Sequence, residues 1–150
     1  MKRFHAALLL AFAAASARAE DPKPPLPAQA PIALLVDLSA GQTLFARDAD
    51  VRFLPASMTK AMTALVAFDL IKAGRLREDA VFSVRPQTAA RWSGKGTSLW
   101  LKAGEQVRVA DLLSGVATAS ANDAAVVLAE GALGSDAAWL AAMNARASAL

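Results

Sequence analysis

Between Met58 and Ile71 the chain carries only four polar side chains, Thr59, Lys60, Thr63 and Asp69, and no Gly or Pro. The stretch reads as a helix from about Ser57 to Ala73, closed by Gly74. A helix that is apolar on most of its faces has to be covered by neighbours, so it belongs inside a domain. The rest of the chain offers mainly small residues for that covering, since 38 of its 150 residues are Ala. Such a composition favours packed helices over a large aliphatic sheet.

The other elements arrange themselves around this helix. Ile32 to Asp37 is apolar and β-prone, Ser39-Ala40-Gly41 forms a turn, and Gln42 to Ala46 resumes the extended pattern, which together predict a β-hairpin. Asp79 to Val84 reads as a short strand. Residues 85–106, with three Gly, a Pro and two Trp, read mostly as loop. Val109, Leu112, Leu113 and Val116 follow helical spacing, Ser120-Ala121-Asn122 interrupts, and Ala124 to Glu130 continues as helix. Ser135 is placed to cap a last helix running from Asp136 to the end. That helix meets no C-terminal Gly or Pro, so the chain is expected to stop within an element. There is no internal repeat.

The N-terminus has a different design. Lys2 and Arg3 precede ten apolar residues, Ala6 to Ala15, and Ala17-Arg18-Ala19 is a small-x-small pattern before Glu20. This is the layout of a secretory signal peptide over 1–19, and ten residues are too few to span a bilayer, which needs roughly 20. No transmembrane helix is expected once it is removed. Cleavage after Ala19 would remove Lys2, Arg3 and Arg18, leaving thirteen basic residues against thirteen acidic ones. The basic character therefore belongs to the signal, and nothing supports nucleic-acid binding. Five of the seven Pro lie between Pro22 and Pro31, so 20–31 reads as an extended linker.

Chemistry is narrowed by what is missing. The chain has no Cys, and its one His, His5, lies in the signal. A thiol nucleophile, a Ser-His-Asp triad and a His-ligated zinc are excluded from the body of the protein. Lys60 then stands out. A cation one turn inside an apolar helix meets the positive end of the helix dipole and loses hydration, and both effects favour the neutral amine. Residues i and i+3 share a helix face, so that amine can reach the Ser57 hydroxyl as a base that needs no imidazole. The plain structural alternative is that Ser57 caps the helix and Lys60 reaches out to water. Roughly 0.4 S-x-x-K patterns are expected by chance in such a chain, so the spacing alone does not decide. Ser120-Ala121-Asn122, the single S-x-N, lies between two helices, where a second hydroxyl and an amide could face a cleft. Its alternative is again a helix cap.

Taken together, Ser57-Met58-Thr59-Lys60 and Ser120-Ala121-Asn122 resemble the motifs of penicillin-binding proteins and serine β-lactamases. Asp37-Leu38-Ser39-Ala40-Gly41-Gln42, Pro55-Ala56 ahead of Ser57, Gly96-Thr97-Ser98 and Asp123-Ala124 after Asn122 narrow the resemblance to low-molecular-mass D-alanyl-D-alanine carboxypeptidases, over residues 32–150. That resemblance implies an α+β, β-lactamase/transpeptidase-like fold, of which the chain would hold an incomplete half: the N-terminal hairpin and the helical part. It implies Ser57 as nucleophile, Lys60 as its base, Ser120 as proton relay and Asn122 as a binder of substrate amide, with no metal or organic cofactor. Peptidoglycan pentapeptide stems would be the substrate and β-lactams covalent inhibitors, in the periplasm or on the outer face of the cytoplasmic membrane.

Two departures qualify the resemblance. The family often has Gly where Ala121 stands. Its third motif, K-T-G, is absent, because Lys72-Ala73-Gly74 and Lys102-Ala103-Gly104 both precede the second motif. The 150 residues alone are therefore expected not to turn over substrate. A class A-type β-lactamase, or a sensor or scaffold that binds penicillin without turnover, are the other readings.

Overall fold

The computed structural model describes residues 30–150. The expected signal peptide, 1–19, and all but the last two residues of the expected linker, 20–31, lie outside the described residues. The chain divides into two compact units, one ending at Phe53 and one running from Leu54 to Leu150.

The first unit holds the expected hairpin. Strands β1 (Ala33–Asp37) and β2 (Gln42–Arg47) run antiparallel, Ala33 opposite Arg47 and Asp37 opposite Gln42, with a register shift between Leu35 and Val36. Asp37 makes the turn. Its Oδ1 accepts hydrogen bonds from the Ser39 hydroxyl (2.6 Å) and from the backbone N–H groups of Ser39 (2.8 Å) and Ala40 (3.3 Å). These bonds, the Ser39 hydroxyl foremost, hold the Asp37 carboxyl below the usual aspartate range. Gly41 takes φ +64°, a conformation that a residue without Cβ adopts freely.

The second unit is helical around a short ladder. A 3₁₀ turn, Ala56–Met58, leads into α1 (Thr59–Lys72). There follow β3 (Val81–Ser83), α2 (Pro86–Trp92), β4 (Gln106–Arg108), α3 (Val109–Ala119), α4 (Asn122–Leu133) and α5 (Asp136–Ser148). β3 and β4 pair antiparallel, Val81 opposite Arg108 and Ser83 opposite Gln106. Bonds from Val84 N–H to the Glu105 carbonyl and from Val109 N–H to the Ala80 carbonyl, each 2.9 Å, extend that ladder at both ends.

Three expectations need correction. Residues 85–106 are not mostly loop: Pro86 sits in the first turn of α2, where its missing N–H costs nothing and its fixed φ favours the helix, and Gln106 opens β4. Nor is α1 enclosed on all sides. It buries one face, Thr63, Val66, Ala67 and Leu70, against α3 and α5, while Phe68 remains 56% exposed because neither neighbour reaches round to it. The last helix also stops at Ser148 rather than at Leu150, while Ser135 does cap its start, its hydroxyl accepting from Ala138 N–H at 3.2 Å.

The core joins that face of α1 to Leu112, Leu113 and Val116 of α3, Ala124, Val127 and Leu128 of α4, and Trp139 and Met143 of α5. Leu112 and Leu128 are completely enclosed. Burial of one such Leu side chain is worth about 1.5–3 kcal/mol. α4 lies so close to β3 that a Cβ on Gly131 would fall on the Phe82 ring. This close fit fixes α4, and α4 carries Asn122 at its first turn. Among the described residues no single helix is long and apolar enough to cross a membrane.

Candidate active site

The site is assembled where α1 and α4 begin. Ala56 takes φ +48°, a left-handed conformation that a side chain resists, at a cost of roughly 1–3 kcal/mol. Immediately after it, Ser57 lies in the 3₁₀ turn and is exposed. It does not cap α1: the capping position is Met58, and no side chain bonds there. Its hydroxyl instead accepts from Lys60 Nζ at 3.3 Å. Lys60 is half-buried, and its Nζ makes a shorter bond, 2.7 Å, to Asn122 Oδ1, 62 residues later in the chain.

Asn122 is not a cap either. Ala121 holds the capping position of α4 and has no side-chain bond. The Asn122 amide is engaged at both ends, Oδ1 by Lys60 and Nδ2 donating to the Lys95 carbonyl at 2.8 Å, while its backbone N–H donates to the Thr97 carbonyl at 2.8 Å. Gly96 lies between those two carbonyls at φ +64°, and a Cβ on it would come within 3.0 Å of Asn122 Nδ2. Ser120 closes α3 in the left-handed conformation, φ +54°. Its hydroxyl makes no hydrogen bond among the described residues. Of the four residues singled out in the sequence, Ser57, Lys60 and Asn122 are thus hydrogen-bonded together. Ser120 stands in the adjoining turn without a bond to Lys60.

Sequence reasoning used Asp123 only as part of the family resemblance and gave it no role in the site. Its side chain is 1% exposed. It accepts from the Ser98 hydroxyl (2.6 Å) and from the backbone N–H groups of Leu99 (3.0 Å), Leu101 (3.1 Å) and Ala124 (2.8 Å). Burial alone would raise its pKa, but the four hydrogen bonds outweigh burial and hold the carboxyl below the ordinary aspartate range. The available signal was an Asp directly ahead of the apolar run Ala124 to Ala129, because a buried carboxylate requires donors.

An apolar cavity of about 300 Å³ adjoins Lys60 and Asn122, walled by Trp92, Ala125, Trp139 and Met143. The one glutamate after the second motif, Glu130, points into a separate network. Its Oε2 accepts from the Thr88 hydroxyl at 2.7 Å, and Arg85 lies 3.7 Å from its Oε1. No group of three or more His, Asp or Glu residues able to hold a metal occurs among the described residues. Lys72 and Lys102 are not at the site. Lys72 is the last residue of α1, roughly 18 Å along the axis from Lys60 at 1.5 Å per residue. Lys102 is exposed in the turn before β4.

The chain has counterparts among known proteins. Residues 17–150 match the family described as D-alanyl-D-alanine carboxypeptidase, peptidase S11. The D-alanyl-D-alanine carboxypeptidase DacA of Escherichia coli is 39% identical over 120 residues, covering 78% of this chain and 30% of that protein. The crystal structure of the D-alanyl-D-alanine carboxypeptidase DacD from Francisella tularensis superposes with a TM-score of 0.75 at 34% identity, over 83% of this chain and 29% of that one. Penicillin-binding protein D2 from Listeria monocytogenes, in its cefotaxime-bound form, gives a TM-score of 0.69 at 28% identity over 84% of this chain and 49% of that one. The chain thus spans about a third to a half of the length of these three relatives.

Proposed function

The chain belongs to the D-alanyl-D-alanine carboxypeptidase family and shares its α+β penicillin-binding-protein fold, and from that premise we propose that it supplies the nucleophile and base of a serine D-Ala-D-Ala carboxypeptidase. The observation that carries this reading is the Lys60 amine held between Ser57 Oγ and Asn122 Oδ1, with neither Ser57 nor Asn122 spent on capping a helix. Lys60 takes the Ser57 proton as Oγ attacks the carbonyl of the penultimate D-Ala. The carbonyl oxygen becomes the oxyanion, the peptide C–N bond breaks, and the terminal D-Ala leaves with a proton relayed through Ser120. Water then adds to the ester, and Ser57 regains its proton as the shortened stem departs. A β-lactam opens on the same oxygen and leaves a longer-lived ester. The substrate would be a peptidoglycan pentapeptide stem.

Asn122 supports this chemistry first by orienting Lys60, because both ends of its amide are already engaged. Binding substrate amide through Asn122 requires one of those bonds to open. Glu130 is held by Thr88 and Arg85, so it is not presented to the acyl-enzyme in the manner of the glutamate of a class A β-lactamase. The K-T-G motif is not found in these 150 residues, and turnover by them alone is not expected.

The test is a fluorescent penicillin followed over time, together with D-Ala release from a peptide ending in D-Ala-D-Ala. It would use this chain and a version extended with the K-T-G-bearing strands of a relative. The extended protein should be labelled at Ser57, lose the label slowly and release D-Ala. A label on another residue, or release that survives Ser57→Ala, would refute the assignment. A permanent label would indicate a sensor, and rapid loss a β-lactamase.

Export follows the same reading. The pattern Ala17-Arg18-Ala19 supports cleavage before Glu20 and an enzyme that works outside the cytoplasmic membrane, where its substrate lies. N-terminal sequencing of periplasmic protein should begin at Glu20; recovery of Met1 there would contradict export by cleavage.

A further inference from the structure

Asn122 and Asp123 are adjacent in the chain and grip the same turn at different points. Asn122 holds the carbonyls of Lys95 and Thr97. Asp123 holds the hydroxyl of Ser98 and the N–H groups of Leu99 and Leu101. We propose that Asp123 is a positioning residue for Lys60, acting through the 94–101 turn and the Asn122 amide.

The path can be followed bond by bond. While the Ser98 hydroxyl donates to Asp123, its oxygen accepts from the N–H groups of Gly94 and Trp100, 3.0 Å each, so one carboxylate orders the turn from Gly94 to Leu101. The turn is under strain. Trp100 takes φ +60°, which a bulky side chain adopts only when its surroundings impose it. Its neighbours on both sides, Leu99 and Leu101, are the residues whose N–H groups Asp123 holds. The turn also lacks slack, since a Cβ on Gly94 would strike the Trp100 ring and one on Gly115 would strike Leu99. With the carboxylate removed, Trp100 is free to relax, and the carbonyls of Lys95 and Thr97 shift with it. Asn122 Nδ2 follows its acceptor, and Oδ1, the acceptor of the 2.7 Å bond from Lys60, turns with the same amide. A displacement of 1 Å at a reacting group can cost roughly 10²-fold in rate.

The consequence for catalysis rests on the acyl-transfer reading, but the consequence for the amine does not. The test therefore has two arms. In the chain itself, the pH profile of Lys60 modification by a small acylating reagent is followed by mass spectrometry, with Lys72 and Lys102 as internal references. Asp123→Asn is compared with Ser98→Ala, which removes one of the bonds to Asp123 together with the two that the Ser98 oxygen accepts within the turn, and with Thr88→Val, which weakens the unrelated Glu130 network. In the extended protein, Ser57 acylation by penicillin is timed for the same variants.

Asp123→Asn should raise Lys60 reactivity relative to the references, with Ser98→Ala intermediate and Thr88→Val at the wild-type level. Acylation should fall roughly tenfold or more in Asp123→Asn, in the range that misplacement of a reacting group produces. Should Asp123→Asn fail to fold, Ser98→Ala decides. Lys60 reactivity unchanged in the folded variants, or raised equally by Thr88→Val, would overturn the proposal. If wild-type Ser57 is never acylated, the carboxypeptidase reading fails and the amine arm still decides on Asp123.

Discussion

Lys60→Arg in the extended protein is expected to lower the rate of Ser57 acylation roughly 10²–10⁴-fold, the range that a positioned general base supplies. Lys60 reaches Ser57 Oγ at 3.3 Å, and among the described residues no other basic side chain bonds that hydroxyl. A guanidinium keeps its proton at any pH at which the protein is folded, so Arg preserves the charge while removing the base. It is also a planar fork where the site holds a compact amine between two acceptors, and the 2.7 Å bond to Asn122 Oδ1 would have to be remade. The thermal transition should change little, because the Lys60 head group lies at the cavity rather than in the core. Ser120→Ala should slow acylation less and leave Ser57 as the labelled residue. Near-normal labelling of Lys60→Arg would show that another group removes the proton.

The largest loss of stability should come from Asp123→Ala, at more than about 3 kcal/mol near neutral pH, because the substitution removes one buried charged acceptor from several donors at once. The bonds to Ser98, Leu99 and Leu101 tie the start of α4 to a turn 22–25 residues upstream, so local helix structure cannot replace them. The pH dependence has a definite sign. The folded Asp123 carboxyl titrates below the ordinary aspartate value, so the folded state binds fewer protons than the unfolded state in that range. Its contribution is complete above the ordinary aspartate range and declines as pH falls through that range and then through the lower folded value. Urea unfolding of the wild type and Asp123→Ala at neutral pH and in acid should give a gap that narrows on acidification. A gap that is constant with pH would mean that the carboxylate charge contributes nothing.

Much of this arrangement could be read locally. The i,i+3 spacing of Ser57 and Lys60, the hairpin turn at Ser39-Ala40-Gly41 and the cap at Ser135 are properties of a few neighbouring residues, and the structure has all three. The ambiguity over Ser57 could not be resolved that way. A serine beside a helix start is a cap or a free hydroxyl according to what occupies the space beyond it, and here that is an amine held by Asn122, 62 residues from Lys60. The role of Asp123 escaped notice for the same reason, its partners being far away in sequence. α2 was legible but overlooked: Pro86 is a helix-start signal that the surrounding Gly and Trp residues masked. The exposure of Phe68 was not legible, because composition says that a helix is apolar without saying which of its faces find partners.

The methyl group at Ala121 gives the S-x-N turn an asymmetry of its own. Ala121 is entirely enclosed and lies in extended backbone, φ −68° and ψ 125°, while the left-handed bend falls one residue earlier, at Ser120. The middle position therefore makes no demand for a glycine backbone, and Ala there narrows the unfolded ensemble, an effect typically worth about 0.4–1 kcal/mol. What limits that position is volume. The backbone there admits glycine and alanine alike, and a side chain reaching past Cβ would have to displace the start of α4 and, with it, the amide that meets Lys60.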